Sequence, residues 1–348
     1  MAYPCPVMHT MEALRKSAGA LEVLWTKELA DSDAAAYDGF VREAASGHFM
    51  QTRPWADVAR AGRPCQARYF MVREVGRVLG TALVLRTSAG VIPLPAASVD
   101  RGPVCASPAD VPRVLAELSR VARRHGIAHL RVMPYWANDE VEGIQRMLAD
   151  ARFQDVQKLD GAHVATLRLD IGGKTGDTMF AEKARDQVRR RFHQAERAGA
   201  TGRAGARADF DVHRRLSGEV MAAQGKGDKP AAWYDALFTS MLTDPARGAL
   251  FVCEHEGSVV GTVAVLRNGP LATYAYGATA NLPLKFNKTI LALREAIRWA
   301  RDQGCQVFDL GGIAMDGDDD PKRAAIAEFK LHFSKTRIRL VREHARWF

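Results

Sequence analysis

Lys330 directly follows Phe329 in the stretch AEFKLHFSKTRIRL, residues 327–340. A lysine in an amphipathic segment can be a solvated cation beside a core aromatic, because lysine is mostly exposed. It can also be a cation at the mouth of an acyl-transfer site, where an ammonium steadies the charge of a tetrahedral intermediate. Competing chemistries lack their signatures. There is no GxSxG elbow, no HExxH and no paired-cysteine motif. MDGDDDPKRA (315–324) looks like a calcium loop but fails as one. With Asp316 as position 1, position 6 is Pro321 and position 12 is Ala327, where glycine and glutamate are required. It reads as a solvated acidic loop. The ten histidines show no ligand spacing, and His193 and His332 read as surface or packing residues. No metal site is expected.

Other residues could bind rather than react. Tyr274 and Tyr276 in TYAYGA share one face if that stretch is a regular strand. A core position suits them as well as a groove. Arg101 in DRGPV is a loop arginine before Gly-Pro and could simply anchor a turn. Residues 182–203 hold seven Lys/Arg and three Asp/Glu, a local charge of +4. Helical spacing buries Ala184, Val188, Phe192 and Ala195 and leaves Lys183, Arg185, Arg189, Arg190, Arg191 and Arg197 on the other faces. That is a solvated helix face or a phosphate-binding one.

Whatever positions these residues must fold within 348 residues, enough for one large domain or two ordinary ones. Hydrophobic residues make up 47% and charged residues 26%, the balance of a globular chain. A formal net charge of +9 favours a polyanionic partner: nucleic acid, a phosphate-rich ligand or an anionic membrane surface. Five cysteines at positions 5, 65, 105, 253 and 305 show no metal-ligand spacing, and their odd number fits a reduced, cytoplasmic protein. No apolar run approaches a transmembrane span, and residues 1–18 read as a loosely ordered leader.

An internal repeat supplies the architecture. GRVLGTALVL (76–85) matches GSVVGTVAVL (257–266) at six of ten positions. Each follows an apolar run, so each predicts a β-hairpin turning at Gly76 or Gly257. RVARRHGIAHLRV (120–132) resembles RWARDQGCQVFDL (298–310), and each predicts a helix end, a glycine stop and a buried strand. The helical stripes are Val114, Leu115, Leu118, Val121 and Ala122, and Ile290, Leu293, Ile297 and Ala300. Two copies of one α/β (α+β) unit are expected, at 19–165 and 166–348, each a mixed, mostly antiparallel sheet flanked by helices. That outline is similar to a duplicated GNAT acyltransferase fold. The (R/Q)xxGx(G/A) loop that holds a coenzyme A pyrophosphate at a helix N-terminus is missing from the corresponding stretches, DRGPVCASPADVPRVL in the first copy and YGATANLPLKFNKTILAL in the second, so coenzyme A is not the expected donor.

The ordered stretches HFMQTRPWADV (48–58), DRGPV (100–104), EKARDQVRRRFHQAERAGA (182–200), TYAYGATA (273–280), FDLGGI (308–313) and FKLHFS (329–334) resemble the Fem (FemABX) family of peptidyl aminoacyltransferases, compact FemX-like type. The resemblance implies transfer of an amino acid from aminoacyl-tRNA to an amine of a peptidoglycan-precursor stem peptide or other small peptide, with no cofactor beyond that co-substrate. It implies a transfer-site cation at Lys330 and a positioning role for Phe329 with its backbone carbonyl. It places Tyr276, Tyr274 and Tyr234 by the acceptor, keeps Arg101 as a candidate, and suggests that Lys183, Arg185, Arg189, Arg190 and Arg191 meet RNA phosphates. Three departures stand out: Met133 where an acid is common before Pro134, Ala59 where a lysine is common after Val58, and Phe333–Ser334 for the usual FG. Two further readings are an N-acyltransferase using a coenzyme A or carrier-protein thioester, and a basic RNA-binding protein without catalysis.

Overall fold

The computed structural model describes residues 21–87, 95–156, 164–174, 182–313, 321–334 and 337–348, without the side chains of 182–185 and 321–323. The expected leader (1–18) and the acidic stretch 315–320 lie outside the described residues, as do the side chains of Lys183 and Arg185.

The first half runs β1 (Leu21–Thr26), α1 (Asp31–Glu43), α2 (Arg53–Gly62), the hairpin β2 (Cys65–Glu74) and β3 (Arg77–Thr87), β4 (Ala96–Val99), β5 (Val104–Cys105), α3 (Val111–Arg124), β6 (His129–Val132), α4 (Glu140–Asp150) and β7 (Gln154–Asp155). The second runs β8 (Ala165–Asp170), α5 (Glu182–Arg197), β9 (Thr201–Ala204), α6 (Arg207–Ala222), α7 (Ala231–Leu237), β10 (Gly248–His255), β11 (Ser258–Asn268), β12 (Leu271–Thr279), α8 (Ile290–Asp302), β13 (Val307–Gly312), α9 (Pro321–Leu331), β14 (Arg337–Arg339) and β15 (His344–Trp347).

These form two mixed, mostly antiparallel sheets flanked by helices. One is ordered β1-β2-β3-β4-β6-β15-β7, with β5 on β3, and the other β14-β8-β13-β12-β11-β10-β9. Among the described residues each contains one parallel pair, β4 with β6 and β12 with β13. The boundary expected between 165 and 166 falls at the first residue of β8, and the last strand, β15, lies between β6 and β7 of the first sheet.

The repeat is physical. Both hairpins turn through two left-handed residues, Val75–Gly76 and Glu256–Gly257, the backbone of a tight right-twisting turn. Both carry a bulge at the same place, where register shifts after Val72 and after Cys253, opposite Gly80 and Gly261. A Cβ on Gly80 would lie 2.6 Å from the Val114 side chain of α3, and one on Gly261 would collide with the Lys288 carbonyl just before α8. The repeated glycines therefore let a helix approach a bulged strand closely.

Each half has its own core. Phe70, Leu79, Leu115, Leu118 and Ile127 fill the first, and Leu167, Phe192, Leu293, Ile297 and Phe308 the second. A third cluster joins them, with Tyr37, Phe49, Trp55 and Leu83 from the first half and Phe210, Trp233, Leu250 and Leu266 from the second. Each large side chain buried there contributes about 2 kcal/mol, so the halves are held by apolar contact. Among the described residues no helix is long and apolar enough to cross a membrane.

Candidate functional site

The two sheets meet at a cleft of about 250 Å³ lined by residues of both halves, including His48, Arg101 and Tyr135 from the first and Tyr274, Asp309 and Lys330 from the second. Lys330 comes from the last turn of α9, and its amphipathic helix turns it inward: the residue is only 9% exposed. Its Nζ donates to the Gly312 carbonyl at 2.7 Å and lies 5.8 Å from the centre of the Tyr274 ring. Burial lowers its pKa to about 8, opposed by the charge of Asp309. The lysine of the FK pair is therefore a sequestered cation at the cleft wall, not a solvated one.

Asp309 organises the cleft and is 1% exposed. Its Oδ2 accepts from the Tyr135 hydroxyl at 2.6 Å and from Arg168 Nε at 3.2 Å. Its Oδ1 accepts the Gly311 N–H at 2.7 Å and contacts the Thr166 hydroxyl, which also reaches the Gly311 carbonyl at 2.9 Å. The D-x-G spacing closes a local turn, and Gly311 at φ +75° supplies the left-handed residue that it needs. Lys330 grips the carbonyl of the next residue, Gly312. Burial raises the Tyr135 hydroxyl pKa, with Asp309 adding to the effect, so that hydroxyl is a donor.

Arg101 reaches the cleft from an unusual backbone. Its φ of +57° is left-handed, a conformation that costs a non-glycine residue about 1 kcal/mol. Gln51 braces the turn, donating from Nε2 to the Asp100 carbonyl at 2.6 Å and accepting the Leu83 N–H at 2.8 Å. A Cβ on Gly102 would lie 2.6 Å from the Gln51 side chain, so glycine lets this turn seat itself. Arg101 is 8% exposed, and burial lowers its pKa. The Arg101 and Arg168 guanidinium carbons stand 5.4 and 5.1 Å from the Tyr135 ring centre. His48 packs on that ring at 4.5 Å, and its Nδ1 accepts the Met50 N–H, which assigns the ring proton to Nε2. Burial, then Arg101 and Arg168, keep its pKa well below the usual histidine range.

The other candidates divide. Tyr274 and Tyr276 both line the cleft, but they do not share a face as expected. The register shifts so that Ala264 pairs with Tyr276 and Val265 with Tyr274, leaving Ala275 as an extra residue. Tyr274 packs on the second-half core and Tyr276 on the inter-half cluster. Burial raises the Tyr274 pKa to about 12. Tyr234 does not line the cleft: it is buried beside Trp233, and its hydroxyl donates to Asp228 at 2.7 Å. Phe329 does not line it either. Its ring packs edge-on against Phe333 at 5.5 Å, and its carbonyl accepts the His332 N–H at 3.2 Å. On α5, Val188, Phe192 and Ala195 are buried as expected, and Arg189 and Arg190 are exposed. Arg191 is half-buried and donates to Nε2 of His332 at 2.5 Å, so the basic helix is tied to the segment after Lys330. Met133, where an acid is common, is buried, and its N–H donates to the Gly102 carbonyl at 3.0 Å.

Sequence reading did not assign Asp309, Tyr135, Arg168, Thr166 or His48. Asp309 had a local signal in the D-x-G turn inside FDLGGI, and His48 opens the stretch HFMQTRPWADV.

Two mixed sheets with matched bulged hairpins, joined around one shared cleft, define a tandem GNAT fold. A GNAT acetyltransferase domain profile matches residues 182–323, and a FemAB family profile matches residues 33–241. The FemAB match spans more than half of the sequence, and the chain belongs to the FemAB family. The chain is 24% identical over 148 residues to a UDP-N-acetylmuramoylpentapeptide-lysine N(6)-alanyltransferase of Weissella viridescens. That alignment spans 42% of each protein, so the chain matches less than half the length of this relative. The crystal structure of FemX superposes with a TM-score of 0.78 at 16% identity, over 94% of this chain and 97% of FemX. A tandem GNAT protein from the clavulanic acid biosynthesis pathway superposes with a TM-score of 0.52 at 12% identity, over 94% and 98% of the two chains. At these identities the structural matches define the fold.

Proposed function

We propose that the protein is an aminoacyltransferase that takes an amino acid from aminoacyl-tRNA and forms a peptide bond with an amine of a peptidoglycan-precursor stem peptide or another small peptide. Membership of the FemAB family and the partial match to an alanyltransferase support this reading. The observation that carries it is the buried Lys330 ammonium in the wall of the cleft between the two halves. We read the halves as GNAT-like units meeting near residue 165, the second returning β15 to the first sheet, and we place the reaction in the cytoplasm. No additional cofactor is needed for the proposed reaction, because the ester is already activated.

The amine nitrogen attacks the ester carbonyl carbon. The C–N bond forms, the carbonyl oxygen takes negative charge, and the C–O bond to the ribose then breaks. The amine's proton passes to the departing ribose hydroxyl. Lys330 steadies the oxyanion, an effect worth ~10²-fold or more in rate for one such donor. Asp309 is held by Tyr135, Arg168 and Gly311, so it orders the cleft and does not serve as the base. The surrounding cations disfavour an ammonium and help the amine enter neutral. The exposed Arg189 and Arg190 of α5 provide phosphate contacts, and Lys183 and Arg185 extend the same basic sequence.

Incubating the protein with a pool of charged tRNAs and candidate stem peptides should add one amino-acid residue, read by mass, and ribonuclease should abolish the addition. A GNAT acetyltransferase profile over residues 182–323 supports a second reading, acylation from a thioester. Acetyl-coenzyme A acylating the same peptide with no RNA present would establish that reading instead.

A further inference from the structure

We propose that a second cavity, which shares no lining residue with the cleft, binds the phosphate of a nucleotide-type ligand. The Tyr69 hydroxyl and the first turn of α2 form its base, and arginines form its rim. This goes beyond aminoacyl transfer and stands without it.

The cavity holds about 830 Å³, room for a nucleotide, and both halves build it. The first half supplies Asp38 and Arg42 from α1 and Arg53 and Arg60 from α2. The second supplies Arg247, Arg267 and the turn at Asn268–Gly269 between β11 and β12. The junction is close. Asn268 Nδ2 donates to the Val41 carbonyl of α1 at 2.8 Å. A Cβ on Gly269, at φ +54°, would collide with the Arg42 carbonyl, so glycine lets the turn seat there. The walls therefore meet in one fixed way.

Tyr69 marks the base as a ligand site. The residue is 8% exposed, and its ring packs edge-on against Tyr37 at 5.5 Å. Among the described residues nothing hydrogen-bonds its hydroxyl. The charged groups around that hydroxyl are Arg60, Asp57, Arg53 and Asp38, all of which line the cavity. It is a donor held in place for a ligand oxygen. Beside it, residues 52–54 line the cavity at the start of α2. No side chain caps that helix end: the Thr52 hydroxyl donates back to the Phe49 carbonyl at 2.7 Å. An open helix N-terminus carries partial positive charge and free N–H groups, which suit a phosphate.

The charge agrees. The lining carries six cations, Lys27, Arg42, Arg53, Arg60, Arg247 and Arg267, against the carboxylates Glu28, Asp38 and Asp57. Arg42 and Arg247 also meet Glu43 and Asp244 at the rim, and the balance with these counted is still positive. Asp38 holds Arg53 through both Nε and Nη2, and Asp57 pairs with Arg60. Every partner in these four pairs is at least 35% exposed, and exposed pairs are weak enough to share a guanidinium with an incoming anion. Lys27 and Arg267 have no carboxylate partner among the described residues; Arg267 Nε donates to the Gly269 carbonyl at 3.2 Å, and the side chain also reaches Cys305. Arginine forks match phosphate oxygens with paired hydrogen bonds, which makes phosphate the anion that this rim fits.

The test titrates the full chain with pyrophosphate, ADP and a 5′-phosphorylated RNA trinucleotide, read by calorimetry or NMR. At least one should bind with a dissociation constant of about 1 mM or tighter. Pyrophosphate or ADP as the tightest probe identifies a small ligand, the trinucleotide identifies an RNA strand, and each supports the site. Tyr69→Phe keeps the ring and removes the hydroxyl. It should melt like the parent and weaken the tightest probe about tenfold or more, the loss expected for a hydrogen bond to a charged group. Arg60→Gln should weaken it as well, and Lys330→Ala, in the cleft, should leave it unchanged. No binding of any probe, undiminished binding in Tyr69→Phe, or binding lost in Lys330→Ala would overturn the proposal. If Tyr69→Phe does not fold, undiminished binding in Arg60→Gln overturns it instead.

Discussion

Tyr135 and Asp309 lie 174 residues apart, one in each half, and share a 2.6 Å hydrogen bond at the base of the cleft. The pair binds the segment after β6 to the end of β13, and Asp309 passes the constraint through Gly311 to the carbonyl that holds Lys330.

Tyr135→Phe keeps the ring and removes the hydroxyl that donates to the buried Asp309 carboxylate. Unfolding in denaturant should show a loss of about 1–3 kcal/mol, because the other donors of Asp309 remain. A loss below about 0.3 kcal/mol would mean that the bond between the halves contributes nothing net to the fold.

Lys330→Ala should lower aminoacyl transfer ~10²-fold or more while far-UV circular dichroism stays that of the parent. Near-normal turnover would remove Lys330 from the mechanism.

The pH dependence follows from the depressed pKa of the same lysine. Lys330 titrates at about 8 when folded, against 10.5 for the ordinary side chain. Between those values the unfolded chain binds the proton and the folded chain does not, so folding stability gains as pH rises through that window. Below it, the buried charge is a full burden on the fold. Lys330→Met should therefore be more stable than the parent at pH 7, and the gap should narrow between pH 8 and 10.5. Turnover runs the other way, falling above pH 8 as the ammonium is lost. Denaturation of both proteins at three pH values checks the first half of this, and a rate profile the second. A gap that stays constant with pH would contradict a sequestered ammonium.

Binding of uncharged tRNA should weaken steeply with salt. Arg189→Ala and Arg190→Ala should each reduce the slope of log affinity against log salt by about 1 if each side chain meets one phosphate. A flat salt response in the parent would rule out the α5 face as an RNA contact.

Much of the frame was legible because it is written locally. Alternating apolar strands around Gly76 and Gly257, and glycine stops at Gly126 and Gly304, specify hairpins and helix ends within short windows. The repeat then follows, because two similar local patterns fold into similar units. Lys330 could be singled out from its motif, but its burial could not be read there: a lysine on an amphipathic helix goes in or out according to what packs on it. Tyr274 and Tyr276 show the limit of periodicity, since one extra residue at Ala275 sends them to opposite faces and no local residue announces the bulge.

The sequence by itself determined two α/β units, their hairpins, their helix ends and an excess of positive charge. Tertiary structure alone decided that His48, Arg101, Tyr135, Thr166, Asp309 and Lys330 share one cleft, and that Tyr234 and Phe329 stand outside it. The physical reason is range: backbone turns and apolar periodicity act over a few neighbours, whereas a buried carboxylate finds its donors wherever the packing of two halves brings them.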